Sequence, residues 1–530
     1  MPLSKIKTAS ITASSTLTSP TLTTPILGTP TSGTLTNCTG LPNAGLLNSS
    51  VTIGGTAVAL GASSSTITND LSINGLTVGE GGGSVATNTV VGAGALALNS
   101  TGANNTAIGG SALSVTTVGR NTAIGYVAGL ATTTGHITAV GAYALYSNTT
   151  GDSNVAVGGN NESASAALQT NTTGSNNTAV GVSALQVSTT GGQNTAIGKD
   201  ALYANLTSSN NTAVGYQAGY ANTTGAGLTA FGSNVLAANT TGNANVGVGG
   251  TWAGNLSGAL IANTTGNANV GVGVGALASN TTGSYNVALG HTALLSNSTA
   301  TRSVAVGAQA LYTSTTGDYN TACGMNAMQN TTTGYQNATL GYASGNGLTT
   351  GYGNTIIGTS SGGTLVGGAY NTCMGYGCAT SASGVSNEMI ITAGTGGTGK
   401  GANTGHISPN GGGVYQGNNS ANWSTTSDRR LKKNIVDNNV GLTAITQVRI
   451  RNFEYKLPEE VTELGQNCAI SNTGVQLGVI AQELQEVLPN CVKTESTGVM
   501  SVDSSNLTWY MINAIKELKA EFDAYKLTHP

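Results

Sequence analysis

The chain has 530 residues, of which 79 are glycine, 5% are aromatic and only 7% are charged, where an ordinary soluble domain carries roughly a quarter charged residues. Glycine falls well short of the one residue in three that a collagen helix needs, and a formal net charge of −3 gives neither the basic footprint of a nucleic-acid binder nor the charge excess of a disordered chain. The opening Met1-Pro2-Leu3-Ser4-Lys5 has no apolar stretch behind it, and no apolar run reaches the roughly 18 residues of a membrane span, so neither a leader peptide nor membrane insertion is expected.

Residues 1–87 are poor in charge and punctuated by Ser19-Pro20, Thr24-Pro25 and Thr29-Pro30, which exclude helix and central strand. Gly54-Gly55 and Asn74-Gly75 are hairpin signals. An N-terminal attachment and hairpin segment is expected here.

Residues 88–380 repeat. A glycine ends each A-[IV]-G-like triplet at 92, 109, 125, 141, 158, 181, 198, 215, 232, 249, 273, 290, 307, 324, 341, 358 and 375, a period of 17 broken by two longer steps of 23 and 24. Four residues before that marker stands Asn in 14 of the 17 units, with Ile137, Leu228 and Ser303 as exceptions. The unit reads N-T-A-[IV]-G-x-x-A-L-x-x-N-T-T-G-x-x. Seventeen residues are too few for a helical repeat, and leucine-rich repeats begin at roughly 20. They suit one coil of a parallel β-solenoid or β-roll: a strand through T-A-[IV], a glycine turn, a second apolar stretch at A-L, then a T-T-G turn. Stacked at the strand spacing, the coils make a rod on the order of 80 Å long, with the aligned Asn side chains forming a hydrogen-bonded ladder. Three or four small apolar side chains per coil are a thin core, so a homotrimer is expected to supply the missing burial. The N-x-A-[IV]-G pattern over Asn88–Gly375 resembles the head repeats of trimeric bacterial adhesins, stacked β-rolls with slightly shorter periods.

The steps of 23 and 24 place extra residues at Asn160-Asn161-Glu162-Ser163-Ala164 and Thr251-Trp252-Ala253-Gly254-Asn255. Extra residues in a coil bulge outward, so Glu162 and Trp252 are candidate receptor contacts, the indole suited to a sugar face. Tyr126, Tyr216, Tyr342 and Tyr376 each follow a marker glycine in one register and are expected to line up as an aromatic ladder; Tyr126 and Tyr216 join the candidate contacts. Acidic residues between 90 and 380 are only Asp152, Glu162, Asp200 and Asp318, too scattered for the paired carboxylates of glycan hydrolysis. His136, His291, His406 and His529 are isolated, and no cofactor or metal is implied. Cys38, Cys323, Cys373, Cys378, Cys468 and Cys491 are read as six free thiols, suiting assembly in a reducing cytoplasm.

Residues 381–426 are a Gly-rich connector. Beyond it the composition changes: 24 of the 37 charged residues lie between Ser427 and Pro530, 11 basic and 13 acidic, which marks a separate domain at 427–530. It opens with Ser427-Asp428-Arg429-Arg430-Leu431-Lys432-Lys433-Asn434-Ile435. Basic runs of this kind are most often solvated, yet serine and lysine in one segment also permit a Ser–Lys dyad, the amine acting as base toward the hydroxyl. On a helix a five-residue offset points the two side chains about 140° apart, so a bend or a partner subunit must bring them together. Met511, Ile515, Leu518, Phe522 and Tyr525 follow at steps of 4, 3, 4 and 3, a coiled-coil seam.

S-D-R-R-L-K-K-N-I, then Gly478-Val479-Ile480-Ala481-Gln482-Glu483 with Pro489 and Val492, then Ala514-Ile515-Lys516-Glu517-Leu518, resembles in order the C-terminal intramolecular chaperone of phage tail spikes and fibres, the endosialidase-type self-cleaving serine peptidase family. The segment before the last helix departs from the family's V-D-Y as Val502-Asp503-Ser504. The resemblance implies an α+β chaperone domain that trimerises, drives folding of the upstream rod and detaches itself, with Ser427 as nucleophile and Lys432 as general base. The expected whole is a mainly β, homotrimeric tail fibre or tailspike of the virion tail. It is assembled in the host cytoplasm, joined to tail components through its N-terminus, and binds a host-surface glycan or protein receptor. A bacterial trimeric surface adhesin and a Thr-array ice-binding solenoid are the alternatives.

Overall fold

A computed structural model describes residues 50–53, 56–59, 71–73, 76–159, 165–251, 257–394, 396–409, 413–417, 423–425, 427–470, 472–495 and 497–529. The candidate contacts Glu162 and Trp252, together with Cys38 and the Thr/Pro segment, lie outside them. The chain divides into two compact units, Met1–Thr426 and Ser427–Pro530.

The first unit is a parallel β-solenoid. Each coil contributes one short strand that pairs in register with the same positions of the next, as in Thr178↔Thr195, Ala179↔Ala196 and Val180↔Ile197. The long steps leave this register intact: Ala156 faces Ala179 and Val248 faces Val272, so the extra residues leave the coil and rejoin it. Parallel pairing runs from Thr89–Val91 to Gly405–Pro409. At each end the direction reverses, Leu76–Gly79 lying antiparallel to the first coil and Val414–Gln416 antiparallel to the last. Antiparallel strands thus cover both faces of the stack, where open edges would invite further pairing. Antiparallel partners also flank Gly54-Gly55 and Asn74-Gly75.

The repeat follows from three buried positions. The strand's central Ala, the Ala three residues after the marker glycine and the Leu after that are buried in coil after coil, as in Ala107, Ala112 and Leu113 or Ala179, Ala184 and Leu185. These triads close the core within one chain, so the thin-core argument for a homotrimer is not what the structure carries. The A-L stretch is not a second strand. Its Leu takes a left-handed backbone (Leu113 φ 48°, Leu185 φ 50°, Leu277 φ 53°). That conformation costs a non-glycine residue about 1–2 kcal/mol, and full burial of a leucine side chain contributes about 1.5–3 kcal/mol, so packing wins. The marker glycine has no such option. Gly215 has φ +135°, and a Cβ there would meet the carbonyl group of Gly232 in the next coil at 2.6 Å.

Two Asn ladders run through the stack. The Asn before each strand accepts from the backbone of the next coil: Asn177 N–H donates to Asn154 Oδ1 (2.9 Å), Asn194 N–H to Asn177 Oδ1 (3.0 Å) and Asn211 N–H to Asn194 Oδ1 (3.0 Å). Where the column changes residue type the bond persists, Ile137 N–H donating to Asn121 Oδ1 (2.8 Å). The second ladder is the Asn of N-T-T-G, buried and linked side chain to side chain: Asn222 Nδ2 donates to Asn205 Oδ1 (2.9 Å), Asn239 to Asn222 (3.0 Å) and Asn263 to Asn239 (2.7 Å). The first threonine of T-T-G also looks inward, Thr172 and Thr223 donating to the next coil's carbonyls at 3.0 Å.

Cys373 and Cys378 form a disulfide, which corrects the reading of six free thiols; Cys323 and Cys491 are free. The reason is their phase in the coil. Cys373 occupies the strand-centre Ala position and Cys378 the position three after Gly375, two facing core positions with Cα atoms 6.0 Å apart.

The second unit is α+β. Helices α1 (Leu442–Ile445), α2 (Ala481–Val487) and α3 (Ser504–Thr528) accompany the two-stranded sheets Arg451–Phe453/Gln476–Gly478 and Val492–Thr494/Met500–Val502. Its small core joins Leu484, Leu488, Cys491 and Tyr510. Asp503 caps α3, accepting from Ser505 and Asn506 N–H, and Leu442 N–H at the start of α1 donates to Glu517 of α3. Burial pushes the Cys491 thiol up, as suits a packed rather than a reactive cysteine. No helix among the described residues is long and apolar enough to cross a membrane.

Candidate functional site

Ser427 and Lys432 meet. The Lys432 Nζ lies 2.7 Å from Ser427 Oγ and donates to it. The bend that a helical spacing lacked is one tight turn, Arg429–Leu431, with the backbone extended at Asp428 before it (φ −70°, ψ 130°) and at Lys432 after it (φ −114°, ψ 144°). The chain doubles back over three residues, and both functional side chains flank the turn within a single chain.

Asp428 builds that turn. Its Oδ1 accepts the Arg430 N–H at 2.8 Å, the cap of the turn's N-terminus, while its two oxygens take Arg430 Nε at 3.1 Å and Nη2 at 2.6 Å. The Arg430 hydrogen bonds hold the Asp428 carboxyl below the usual carboxylate range. Ser427 and Lys432 are both exposed in the single chain. The sequence pointed to the serine and lysine; the positioning part of Asp428 and Arg430 was missed, although an Asp two residues before an Arg at a turn is a cap signal.

The tyrosines of the marker register do not form one ladder. Tyr126 is exposed and packs edge-on against Tyr143 at 5.6 Å, which in turn meets Tyr146 at 5.7 Å. Tyr216, also exposed, has the Lys199 ammonium 5.5 Å from its ring centre. Tyr342 and Tyr376 stand exposed farther along, the four separated by whole coils because only some units carry tyrosine there. Asp152 pairs with His136, accepting its backbone N–H at 2.7 Å and lying 2.8 Å from its Nδ1, so this carboxylate serves a turn between coils. Among the described residues no group of three or more His, Cys, Asp or Glu is placed to hold a metal.

Residues 427–493 match the family model described as chaperone of endosialidase, a peptidase family; α3 lies beyond the matched stretch. No solved structure matches the chain. The match implies a self-cleaving chaperone, and a chaperone of this type following a β-solenoid fits a tail-fibre-type protein.

Proposed function

We propose that this chain is the subunit of a homotrimeric viral tail fibre or spike whose solenoid shaft attaches to a host surface, and that its C-terminal unit aligns three chains and then removes itself at Ser427. The observation that carries the cleavage is the 2.7 Å contact between Lys432 Nζ and Ser427 Oγ, inside the stretch that matches the chaperone family. In its neutral form the Lys432 amine takes the hydroxyl proton across this contact, and Oγ adds to the carbonyl carbon on the N-terminal side of Ser427. The Ser427 backbone nitrogen leaves with the proton returned by Lys432. Water then hydrolyses the ester, freeing a carboxylate at Thr426 and the Ser427 hydroxyl.

Trimer formation is supported by apolar side chains left open in the single chain. On α3 only Tyr510 and Ala514 are buried, while Ile515, Leu518, Phe522 and Tyr525 are more than half exposed. On the solenoid the last strand residue of many coils is a large exposed apolar one, Ile124, Ile197, Phe231, Leu289 and Leu340 among them. Rows of this kind, sustained along a rod, are surfaces that a second and third copy would cover.

Intact mass spectrometry of freshly made and matured protein tests the proposal. Wild type is expected to yield one fragment ending at Thr426 and one beginning at Ser427, while Ser427→Ala and Lys432→Ala stay whole on a denaturing gel. Cleavage persisting in both variants rejects the dyad, and a monomeric product by light scattering rejects the trimer.

A further inference from the structure

Five residues before the marker glycine, 15 of the 17 coils turn through a left-handed backbone position, Thr87 and His136 being the exceptions. Some coils meet that demand with residues that tolerate it, Asn104 (φ 62°), Asn176 (60°), Asn210 (63°), Gly227 (70°) and Gly353 (65°), and others with Arg120 (66°), Ser153 (55°), Gln193 (59°), Ala244 (55°) and Ala268 (54°). Toward the C-terminal end of the solenoid tyrosines enter the column. Tyr285 (φ 62°), Arg302 (56°), Tyr319 (58°) and Tyr370 (57°) hold the same position, with Gln336 (56°) and Gly353 (65°) between the last two, and Tyr335 and Tyr352 occupy the residue just before it, where upstream coils place Gly, Ser, Ala, Asn, Thr or Asp. Bulky side chains are disfavoured in this conformation, and these gain little from packing, for Tyr285 and Tyr370 are each 59% exposed and Tyr319 49%.

The six side chains form two ordered groups along two adjacent registers of the rod. The Arg302 guanidinium lies 5.7 Å from the Tyr285 ring centre and 5.4 Å from that of Tyr319, and its Nη1 donates to the Tyr319 hydroxyl at 2.8 Å. Tyr335 and Tyr352 stack with centres 4.8 Å apart and planes 1° from parallel, and Tyr370 meets Tyr352 edge-on at 5.2 Å. Tyr370 also lies over Gly353, where a Cβ would stand 2.8 Å from its Cδ1, so the missing side chain lets the ring settle onto the coil below.

We infer that this ridge is a binding site for an extended polysaccharide running along the rod. The inference rests on the attachment reading above and names its ligand class. Rings fixed by their neighbours offer apolar faces and edges to the C–H faces of pyranose rings at little cost in conformational freedom, while the tyrosine hydroxyls and the remaining Arg302 N–H groups serve sugar hydroxyls. Repetition at one coil per step matches a ligand that is itself a linear repeat. A second copy of this chain fits less well here than on the aliphatic strand row. Aliphatic Ile124, Ile197, Leu289 and Leu340 suit a dry contact, whereas this ridge carries an exposed cation and several hydroxyls.

The test uses the full chain, wild type and the double variant Tyr335→Ala/Tyr352→Ala, with Arg302→Ala and Tyr352→Phe as companions. Each is measured by biolayer interferometry against immobilised alginate, dextran and an array of bacterial surface polysaccharides, with thermal melting and light scattering alongside. Wild type is expected to bind at least one polymer far more tightly than its monosaccharides. The double variant is expected to lose tenfold or more and Arg302→Ala several-fold, while Tyr352→Phe stays close to wild type, all with unchanged melting and mass. No polymer bound, or equal binding by the double variant, overturns the inference; a changed assembly mass assigns the ridge to contacts between copies and overturns it too. Adsorption to a panel of bacterial cells separates the two readings. Equal adsorption by wild type and double variant leaves attachment standing and removes the ridge, whereas wild type adsorbing to no cell removes attachment itself.

Discussion

Asn239 sits fully buried in the middle of the second Asn ladder, and replacing it with alanine tests how the rod is held together. Its Nδ2 donates to Asn222 Oδ1 (3.0 Å) and to Gly242 O (3.0 Å), and its Oδ1 accepts from Asn263 Nδ2 (2.7 Å). Asn239→Ala leaves Asn222 Oδ1 and Gly242 O without partners and takes one of two bonds from Asn263 Nδ2, which keeps Gly266 O, where water does not reach. At about 1 kcal/mol for each orphan, the low end of the range, and about 1 kcal/mol for the lost bond, the loss is about 3 kcal/mol, with a void in addition. Asn239→Leu fills the void but orphans the same groups, so it falls between alanine and wild type. Leu348 and Leu365 replace Asn in successive coils, partner and all, whereas the single Ser188 between Asn171 and Asn205 leaves Asn171 Oδ1 buried without a partner. Hydrogen exchange reads the result directly. A loss of about 3 kcal/mol is roughly a hundredfold faster opening at the Thr240 and Thr241 amides, which donate to Thr264 O in the next coil, fading over the neighbouring coils. The exposed Thr265→Ala is the control and is expected to change stability by less than about 0.5 kcal/mol. Protection at those amides within threefold of wild type would refute the ladder as a stabilising element.

Two further outcomes follow from the geometry. Hydrogen bonds from the His136 backbone and side chain lower the Asp152 pKa from 3.8 to about 2, so this carboxylate stabilises the folded state above its unfolded value and the contribution is lost as pH falls through about 2. Wild type is therefore expected to lose local protection at coils 136 and 152 between pH 4 and pH 2 by an increment that Asp152→Asn lacks, and parallel acid profiles remove the assignment. Asp428→Ala, which deletes both the cap and the Arg430 pairing of the turn, is expected to slow self-cleavage several-fold in a gel time course, with Asp428→Asn between it and wild type. A wild-type rate rejects the positioning part, and a loss as complete as in Ser427→Ala would place Asp428 in the chemistry itself.

The coil period was legible because it is written in positions with no alternative. A marker such as Gly215 faces the next coil's backbone too closely for any Cβ, and the Asn before the strand supplies a bond that the adjacent strand requires. The A-L stretch was legible as a second apolar run, but its backbone was not, because propensity favours an extended or helical leucine and only a buried slot of the right depth makes a left-handed one worthwhile. Cys373 and Cys378 were counted among six free thiols; phased on the repeat they are the strand-centre and turn positions of one coil. At the chaperone segment residue types identified Ser427 and Lys432, but their meeting depends on a turn fixed by Asp428, a cap whose effect lies in dihedral angles rather than in composition. The tyrosine column was missed for a similar reason: attention to the residue after the glycine passed over the one five before it, where the backbone demand makes tyrosine informative.

The regularity that makes the rod stable also makes it ambiguous to build. Thr178 pairs with Thr195 as Thr195 pairs with Thr212, and each Ala–Ala–Leu triad would pack nearly as well against a coil one step along. If three such rods meet along their aliphatic strand rows, a slip of one coil keeps almost every contact and sacrifices only those at the ends, so the interior contributes little to choosing the correct register. The irregular features must choose it: the steps of 23 and 24, the antiparallel strands at either end, and a terminal unit whose sequence repeats nothing. Of these, only the terminal unit can act before the coils have formed, because its contacts do not depend on theirs. Under the proposed assembly that ordering accounts for a mixed-charge domain with its own core following a neutral rod, and a cut at Ser427 would then do no harm: after the coils have zipped, slipping by one would require breaking all of them together.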